Sequence, residues 1–440
     1  MSTIVPIIPF EPKTGDSRKE AEAFIARHIS RDSRDDPQVR EVSEAIVEDV
    51  RKRGDAALLE YTKKFEKVEL SADTLKVSDT EIKEAISKIS PELKSTINRA
   101  IERIRDYHRR QIQNSWFDTS KKGEILGQLV QPMDAVGVYV PGGTAAYPSS
   151  LLMSIVPAKV AGVERIVMVT PANTNGEIFP VTLAAAAEAG ADEIYKIGGA
   201  QAIAALAFGT ETIPKVDKIV GPGNIYVAMA KRAVFGYVGI DSIAGPSDIA
   251  IVADNTANPA YVAADMLSQA EHDERAAAIL VTTSQMLAEA VQEQLVTQSN
   301  QLGRREIINA SLKNKGLIIL ADNISDAFNL INEIAAEHLE ICTADPFEKL
   351  TLVRHAGAIF LGNYSTEPIG DYMAGPSHIL PTEGTARFFS PLSVDDFVKK
   401  SSVLSFSREA MERLREDVSR FARSEGLDAH ANAIEMRKSQ

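Results

Sequence analysis

An α/β fold with two parallel-sheet units is what this sequence predicts, on three observations. From about Val136, short runs rich in Val and Ile alternate with helical segments, the pattern of parallel strands joined by crossover helices. The turns after several of these runs are crowded with Gly and Pro. The 440 residues, 44% hydrophobic and 25% charged, have the balance of a globular protein, with length for about three domains, or two with extensions.

The elements follow in order. To about Gln113 the chain reads helical and polar. Ser78-Asp79-Thr80-Glu81 has capping-box spacing, in which the Ser side chain satisfies an orphan N–H while Glu81 reaches back. Ser90-Pro91 starts a second helix with Pro at its first position, and Leu93, Ile97, Ala100, Ile101 and Ile104 then recur at helical spacing. The first α/β unit has strands at Val136–Val140, Arg165–Val169, Glu193–Ile197 and Lys218–Val220. Its helices cover Ser149–Ala161, an Ala-rich segment ending near Ala189, Ala200–Ala207 and Ile225–Val234. Right-handed crossovers bring all the strand C-termini to one edge. The second unit has strands at Ile249–Val252, Ala278–Val281, Leu317–Leu320, Leu339–Cys342 and Ala358–Leu361. Its helices lie near Tyr261–Glu271, Asp326–Ala336 and Phe347–His355. No sequence repeat links the two units. From about Ser390 the tail reads helical, and the amphipathic stretch Arg408–Arg423 needs something to pack against, a partner subunit being one candidate.

Composition removes several function classes. With 61 acidic against 48 basic residues the formal net charge is −13, which argues against a broad nucleic-acid surface. No apolar run approaches the roughly 20 residues needed to span a bilayer, and no signal peptide is visible, so a cytoplasmic location is expected. One cysteine excludes an internal disulfide and CxxC-type metal sites. Any metal must then be held by His, Asp, Glu or Gln.

The chemistry-bearing residues fall into a few places. Three glycine turns follow strands of the first unit: Pro141-Gly142-Gly143-Thr144, Gly198-Gly199-Ala200-Gln201 and Gly221-Pro222-Gly223-Asn224. Ligands of open α/β sheets bind at that edge, where small residues let backbone approach a phosphate. One such turn is unremarkable, but three make a plausible nucleotide cradle, although the GxGxxG fingerprint is absent. Gln269 and His272 share a helix face, and imidazole is a favoured zinc ligand; alone, His272 reads equally as a dipole-complementing helix end. Adjacent Glu337 and His338 could act as base and water activator, though taken alone they read as a solvated helix residue and a packed one. Asp371 and His378 sit in a glycine-punctuated loop, a common place for function. Cys342 lies inside an apolar strand and reads as a structural thiol.

Together, these motifs make the chain similar to the histidinol dehydrogenase family. The resemblance runs from the N-terminal helices to the end. It is carried by Val138–Gly143, Gly198–Glu211, Val216–Asn224, Ala244–Ser247, Ser268-Gln269-Ala270-Glu271-His272, Glu337-His338-Leu339, Gly370-Asp371-Tyr372, His378–Thr382 and Ala429–Ala433. It implies two Rossmann-like units, a helical N-terminal region and a helical tail. It implies oxidation of L-histidinol to L-histidine in two hydride transfers to NAD, the last steps of histidine biosynthesis. One zinc ion per subunit would be held by Gln269, His272, Asp371 and His430, and mainly orients the substrate. His338 would be the general base, with Glu337 activating water. Ser247, His378 and Glu425, with His338 and the zinc ligands, would line the substrate pocket, and Tyr139, Gln201 and Asn224 would contact NAD. The active sites of a homodimer would be shared, with Glu425 and His430 supplied by the partner chain.

The division expected from this is an N-terminal extension at 1–35, a larger discontinuous α/β domain at 36–135 and 248–389, a nucleotide-binding domain at 136–247, and a swapped helical tail at 390–440. A paralogous zinc- and NAD-dependent dehydrogenase with another alcohol ranks below this reading. So does a zinc hydrolase, which would have no need of the glycine turns.

Overall fold

The computed structural model describes residues 5–10, 16–29, 36–142 and 146–437. Gly143 and Thr144 of the first glycine turn lie outside the described residues. The strands are β1 (Ile7–Phe10), β2 (Trp116–Asp118), β3 (Glu124–Pro132), β4 (Ala135–Tyr139), β5 (Arg165–Val169), β6 (Glu193–Tyr195), β7 (Lys218–Val220), β8 (Gly239–Ile240), β9 (Asp248–Ala253), β10 (Ala277–Thr282), β11 (Gly316–Ala321), β12 (His338–Cys342), β13 (Ala358–Leu361) and β14 (Val398–Phe406).

The expected α/β class is observed. Two parallel sheets, ordered β6-β5-β4-β7-β8 and β1-β11-β10-β9-β12-β13, lie in one compact unit, Met1–Gln111 with Met133–Phe397. Counted within its own stretch of chain, each sheet has the order 3-2-1-4-5, and β1 is added to the edge of the second. So the two units share a topology that their side chains do not advertise. Such sheets are covered on both faces, which is why their strands read as continuous apolar runs. All six residues of β9 are buried. Ile249, Ile251 and Ala253 join the core under one helix layer, and Ala250 and Val252 join the core under the other.

Several expectations need correction. The helices between Pro37 and Arg109 pack apolar residues against the five-stranded sheet. Ile46, Val47 and Val50 of the helix Pro37–Arg53, with Ala57 and Leu58 of the helix Asp55–Glu66, share a core with Ile203, Leu206 and Val227. Ile97, Ile101 and Ile104 of the helix Pro91–Arg109 pack on the opposite face with Val136 and Ile155. An apolar stripe shows that a helix must be covered, but not by which sheet. Part of the expected N-terminal extension is β1, paired in parallel with β11 from Ile7↔Ile318 to Phe10↔Ala321. The helix expected over Phe347–His355 is one turn, Pro346–Lys349, followed by a 3-10 turn. The Asn332 amide bonds the backbone there instead, taking Arg354 N at 2.7 Å and donating to Leu352 O at 2.9 Å.

A second compact unit comprises Ile112–Pro132 and Val398–Gln440. In it β14, β3 and β2 form an antiparallel sheet, with the helices Arg408–Ser424 and Asp428–Glu435. The tail is therefore not wholly helical. β14 reads Val-Lys-Lys-Ser-Ser-Val-Leu-Ser-Phe, with no apolar alternation to announce a strand, and its partner β3 lies far back in sequence. Among the described residues, no helix is long and apolar enough to cross a membrane.

A buried ion pair fixes the turn after β7. Lys231 pairs with Asp241, both side chains nearly inaccessible. Lys231 donates to Gly221 O at 3.1 Å and Asp241 accepts from Gly221 N at 2.8 Å. Gly221 needs this support because its φ is +112° and a Cβ there would lie 2.1 Å from Tyr139 O. Replacing Lys231 with Met strands a buried carboxylate and should cost roughly 3–5 kcal/mol. Lys231→Met with Asp241→Leu should recover most of that loss in urea melts. A double variant as unstable as the single one would show that the charge is not what matters.

Candidate active site

Two polar sites are built on opposite edges of the two sheets. The first lies at the C-terminal edge of the five-stranded sheet, a cavity of about 780 Å³ lined by Tyr139, Pro141, Gly142, Pro171, Gly199, Gln201, Asn224 and Tyr226. These residues follow β4, β5, β6 and β7, so the cavity opens where the strand order reverses, the usual ligand position in such sheets. The helices Gly199–Phe208 and Ile225–Val234 begin there, which favours anions. Gly199 N donates to the Tyr139 hydroxyl at 3.2 Å. Burial pushes that hydroxyl up to about 12, so it stays protonated. Asn224 caps its helix, accepting from Tyr226 N and Val227 N at 3.0 and 3.1 Å. Gln201 is buried and donates to Glu66 at 3.0 Å.

The second site lies at the N-terminal edge of the six-stranded sheet. Asp248 is the first residue of β9 and His338 the first of β12. Asp248 N donates to Glu337 Oε2 and Glu337 N to Asp248 Oδ1, each at 3.2 Å. Glu337 is not the solvated residue its sequence suggests; it is 5% exposed and His338 4%. Burial, then the charge of Asp248, push Glu337 well above an ordinary carboxyl value. The side chain of His338 faces the helix Pro259–Ala270. Its Nδ1 lies 3.0 Å from Gln269 Oε1 and 3.3 Å from Asp248 O. A backbone carbonyl only accepts, so the proton is assigned to Nδ1 and the lone pair to Nε2. Burial lowers His338 to about 4, so the ring is neutral, with its lone pair available at Nε2. It borders a cavity of about 710 Å³ with Phe360, Asp371 and His378.

Beside this pair, His272, Glu367 and Asp371 bring ligand atoms within 4.8 Å of one another. Burial, then Asp371, push Glu367 up to about 8. Burial works against ionisation of Asp371, but His378, with Nδ1 3.6 Å from Oδ1, together with His338 and His272 outweighs it and holds the carboxylate low. Gln269 Nε2, His338 Nε2, His378 Nδ1 and both carboxylate oxygens of Glu367 are buried without hydrogen-bond partners. Native interiors tolerate few such atoms, so a concentration of them marks a place for an ion or polar ligand. The donor set of imidazole and carboxylate suits zinc.

Of the residues singled out in the sequence, Gln269, His272, Glu337, His338, Asp371 and His378 are joined in this one region by the contacts above. Ser247 precedes β9, and its side chain lies near enough to Glu337 to favour the ionised carboxylate. Glu425 caps the helix Arg408–Ser424, and His430 lies on the helix Asp428–Glu435; both are exposed and belong to the smaller unit. Sequence reasoning missed Asp248, Glu367 and Glu66. Thr366-Glu367-Pro368 looks like an ordinary helix start, and Asp248 like a polar residue leading into a strand. Cys342 is buried, and its burial pushes the thiol far up, as befits a structural residue.

The chain as a whole is similar to proteins already known. The family model for histidinol dehydrogenase matches residues 29–438. The chain is 53% identical over 422 residues to a histidinol dehydrogenase of Clostridium acetobutylicum, covering 96% of this chain and 97% of the relative. It is 57% identical over 392 residues to one of Geobacillus kaustophilus, covering 89% and 92%. A crystal structure of histidinol dehydrogenase from Elizabethkingia anophelis superposes with a TM-score of 0.93 at 36% identity, covering 99% of this chain and 98% of that one.

The depressed His338 value has a stability consequence in metal-free protein. Between the unfolded value of 6.5 and the folded value of about 4, the unfolded chain binds the proton first. Stability is therefore present above pH 6.5 and lost as pH falls towards 4, by up to about 3 kcal/mol. Denaturant melts at pH 7 and 4.5 should show this slope, and His338→Asn should flatten it. An imidazole NMR titration with a midpoint near 6.5 would overturn the assignment.

Proposed function

The chain belongs to the histidinol dehydrogenase family, and from that premise we propose that it oxidises L-histidinol through L-histidinaldehyde to L-histidine, reducing two NAD in turn. The observation that carries this reading is His338, a neutral, buried imidazole whose Nδ1 is held by two oxygen atoms and whose Nε2 is left free as a base.

In the first step the substrate hydroxyl gives its proton to His338 Nε2 while the carbon-bound hydrogen leaves as hydride to NAD. In the second, water adds to the aldehyde, with Glu337 and His338 taking up its proton, and the hydrate gives a hydride to a second NAD. The raised Glu337 carboxyl suits this task, because a carboxylate held above its ordinary value by burial is a stronger base once ionised. Ser247, His378 and Glu425 would bind the substrate. Gln269, His272 and Asp371, with His430, would hold one zinc ion per subunit, which when bound supplies a Lewis acid that orients an imidazole-bearing amino alcohol. The Gln269 oxygen has a second lone pair, so it can bond His338 and still serve as a ligand. Glu367 adds a nearby carboxylate that the sequence did not suggest. Tyr139, Gln201 and Asn224 line the cavity proposed for NAD. A cytoplasmic setting belongs to the same reading.

We also propose a homodimer in which Glu425 and His430 complete the partner's site. In the smaller unit Leu414, Val418 and Phe421 are exposed along one helix face, and Trp116, Phe117 and Leu404 are exposed on its sheet, apolar surface that a partner subunit would cover.

Purified protein should form NADH and histidine in a two-to-one ratio from L-histidinol. Turnover of another alcohol without histidinol oxidation would refute the assignment. Chelation should abolish activity and zinc restore it. Glu337→Gln should slow aldehyde oxidation more than alcohol oxidation, and equal losses would remove Glu337 from water activation. Mixing inactive His430→Ala and His338→Asn chains should restore roughly a quarter of wild-type activity, since half of randomly paired dimers carry one intact shared site. No recovery would count against sharing.

A further inference from the structure

We propose that Glu66 makes the glycine cradle select a dinucleotide with a free ribose 2′-hydroxyl over its 2′-phosphorylated form; this rests on the reading of that cavity as the NAD site.

Glu66 ends the helix Asp55–Glu66, far from the cradle in sequence but at its wall in the fold. Its Oε1 accepts from Gly198 N at 2.9 Å and from Gln201 Nε2 at 3.0 Å. Its Oε2 is buried and has no partner. Among the described residues lining the cavity, Glu66 is the sole formally charged side chain, and no Lys or Arg is present. Gly143-Thr144-Ala145 adds no charge to the first turn either. A 2′-phosphate would therefore meet a carboxylate and no counter-charge, while the dinucleotide's diphosphate still has helix N-termini available.

Position adds a second argument. In a sheet of order 3-2-1-4-5 the acid that bonds the adenosine ribose normally sits at the end of the second strand. Here that strand, β5, runs out into Thr170-Pro171 with no acid. The turn after β6 touches the same place, since a Cβ on Gly198 would lie 2.8 Å from Pro171. By bonding Gly198, Glu66 brings a carboxyl from an N-terminal helix to the position the sheet leaves bare. Burial pushes Glu66 up to about 7, so above that pH it is the carboxylate that accepts from a ribose hydroxyl and repels a 2′-phosphate.

The test compares NAD with NADP in zinc-loaded enzyme, and ADP-ribose with 2′-phospho-ADP-ribose by calorimetry. Wild type should bind ADP-ribose at least about 100-fold more tightly than its 2′-phosphate, in line with discrimination by an unpaired like charge. Glu66→Gln should cut that ratio about tenfold or more, mostly through tighter binding of the phosphorylated ligand. Glu66→Asp, which keeps the charge, should hold most of it. Equal affinity of wild type for the two ligands would overturn the proposal. So would an unchanged ratio in Glu66→Gln, the result expected if Glu66 only buttresses Gln201, or a ratio lost as fully in Glu66→Asp. If Glu66→Gln does not fold, the wild-type ligand pair and Glu66→Asp still decide. Failure of wild type to reduce NAD with histidinol would instead sink the dehydrogenase reading itself.

Discussion

The reciprocal bonds between Asp248 and Glu337 set the register on which the second site depends. They lock the start of β9 to the residue before β12, leaving His338 opposite Ile249 and Cys342 opposite Ala253. Side chains alternate along a strand, so a slip of one residue would turn His338 to the other face. In the observed register Cys342 packs under the helix that carries Gln269, while Leu339 and Ile341 enter the core on the opposite side. The buried imidazole, its fixed tautomer and the unpartnered Nε2 all follow from where these two strands begin. Asp248 also accepts from Glu383 N at 3.3 Å, tying a third segment to the same point.

Sheet polarity then separates two kinds of chemistry. Parallel strands place helix N-termini at one edge and helix C-termini at the other. The cradle occupies the first kind of edge, where positive backbone ends suit phosphates. Gln269 and His272 stand at a helix C-terminus, where the negative end of the dipole suits a cation. The same strand order, used from opposite edges, yields one edge whose backbone dipoles suit an anion and one whose dipoles suit a cation.

Much of this was legible in the sequence. Strands β5, β7 and β13 begin and end where their apolar runs do, and Ser78 and Glu81 form the capping box their spacing announces. Periodicity and capping are local, so a sequence displays them. The identities of the site residues came from motif resemblance rather than from pattern, since His338 and Glu337 taken alone look ordinary. Glu367, Asp248 and Glu66 were invisible because each gains its character from burial beside residues distant in the chain. The antiparallel sheet of the smaller unit was invisible for a related reason: β14 and β3 mix polar and apolar residues on both faces, with no alternation, and define each other only by pairing.

The pairing of β1 with β11 has a consequence for biosynthesis. Residues 7–10 emerge from the ribosome some 300 residues before Gly316–Ala321 can accept them, at chain growth rates of about 5–20 residues per second. For that interval Ile7, Ile8 and Phe10 have no sheet to join, and an unpaired apolar strand is a template for association. The nascent chain therefore leaves this strand unpaired until Gly316–Ala321 has been made. Nascent-chain handling, rather than the stability of the finished sheet, is where a change in these few residues would first be felt.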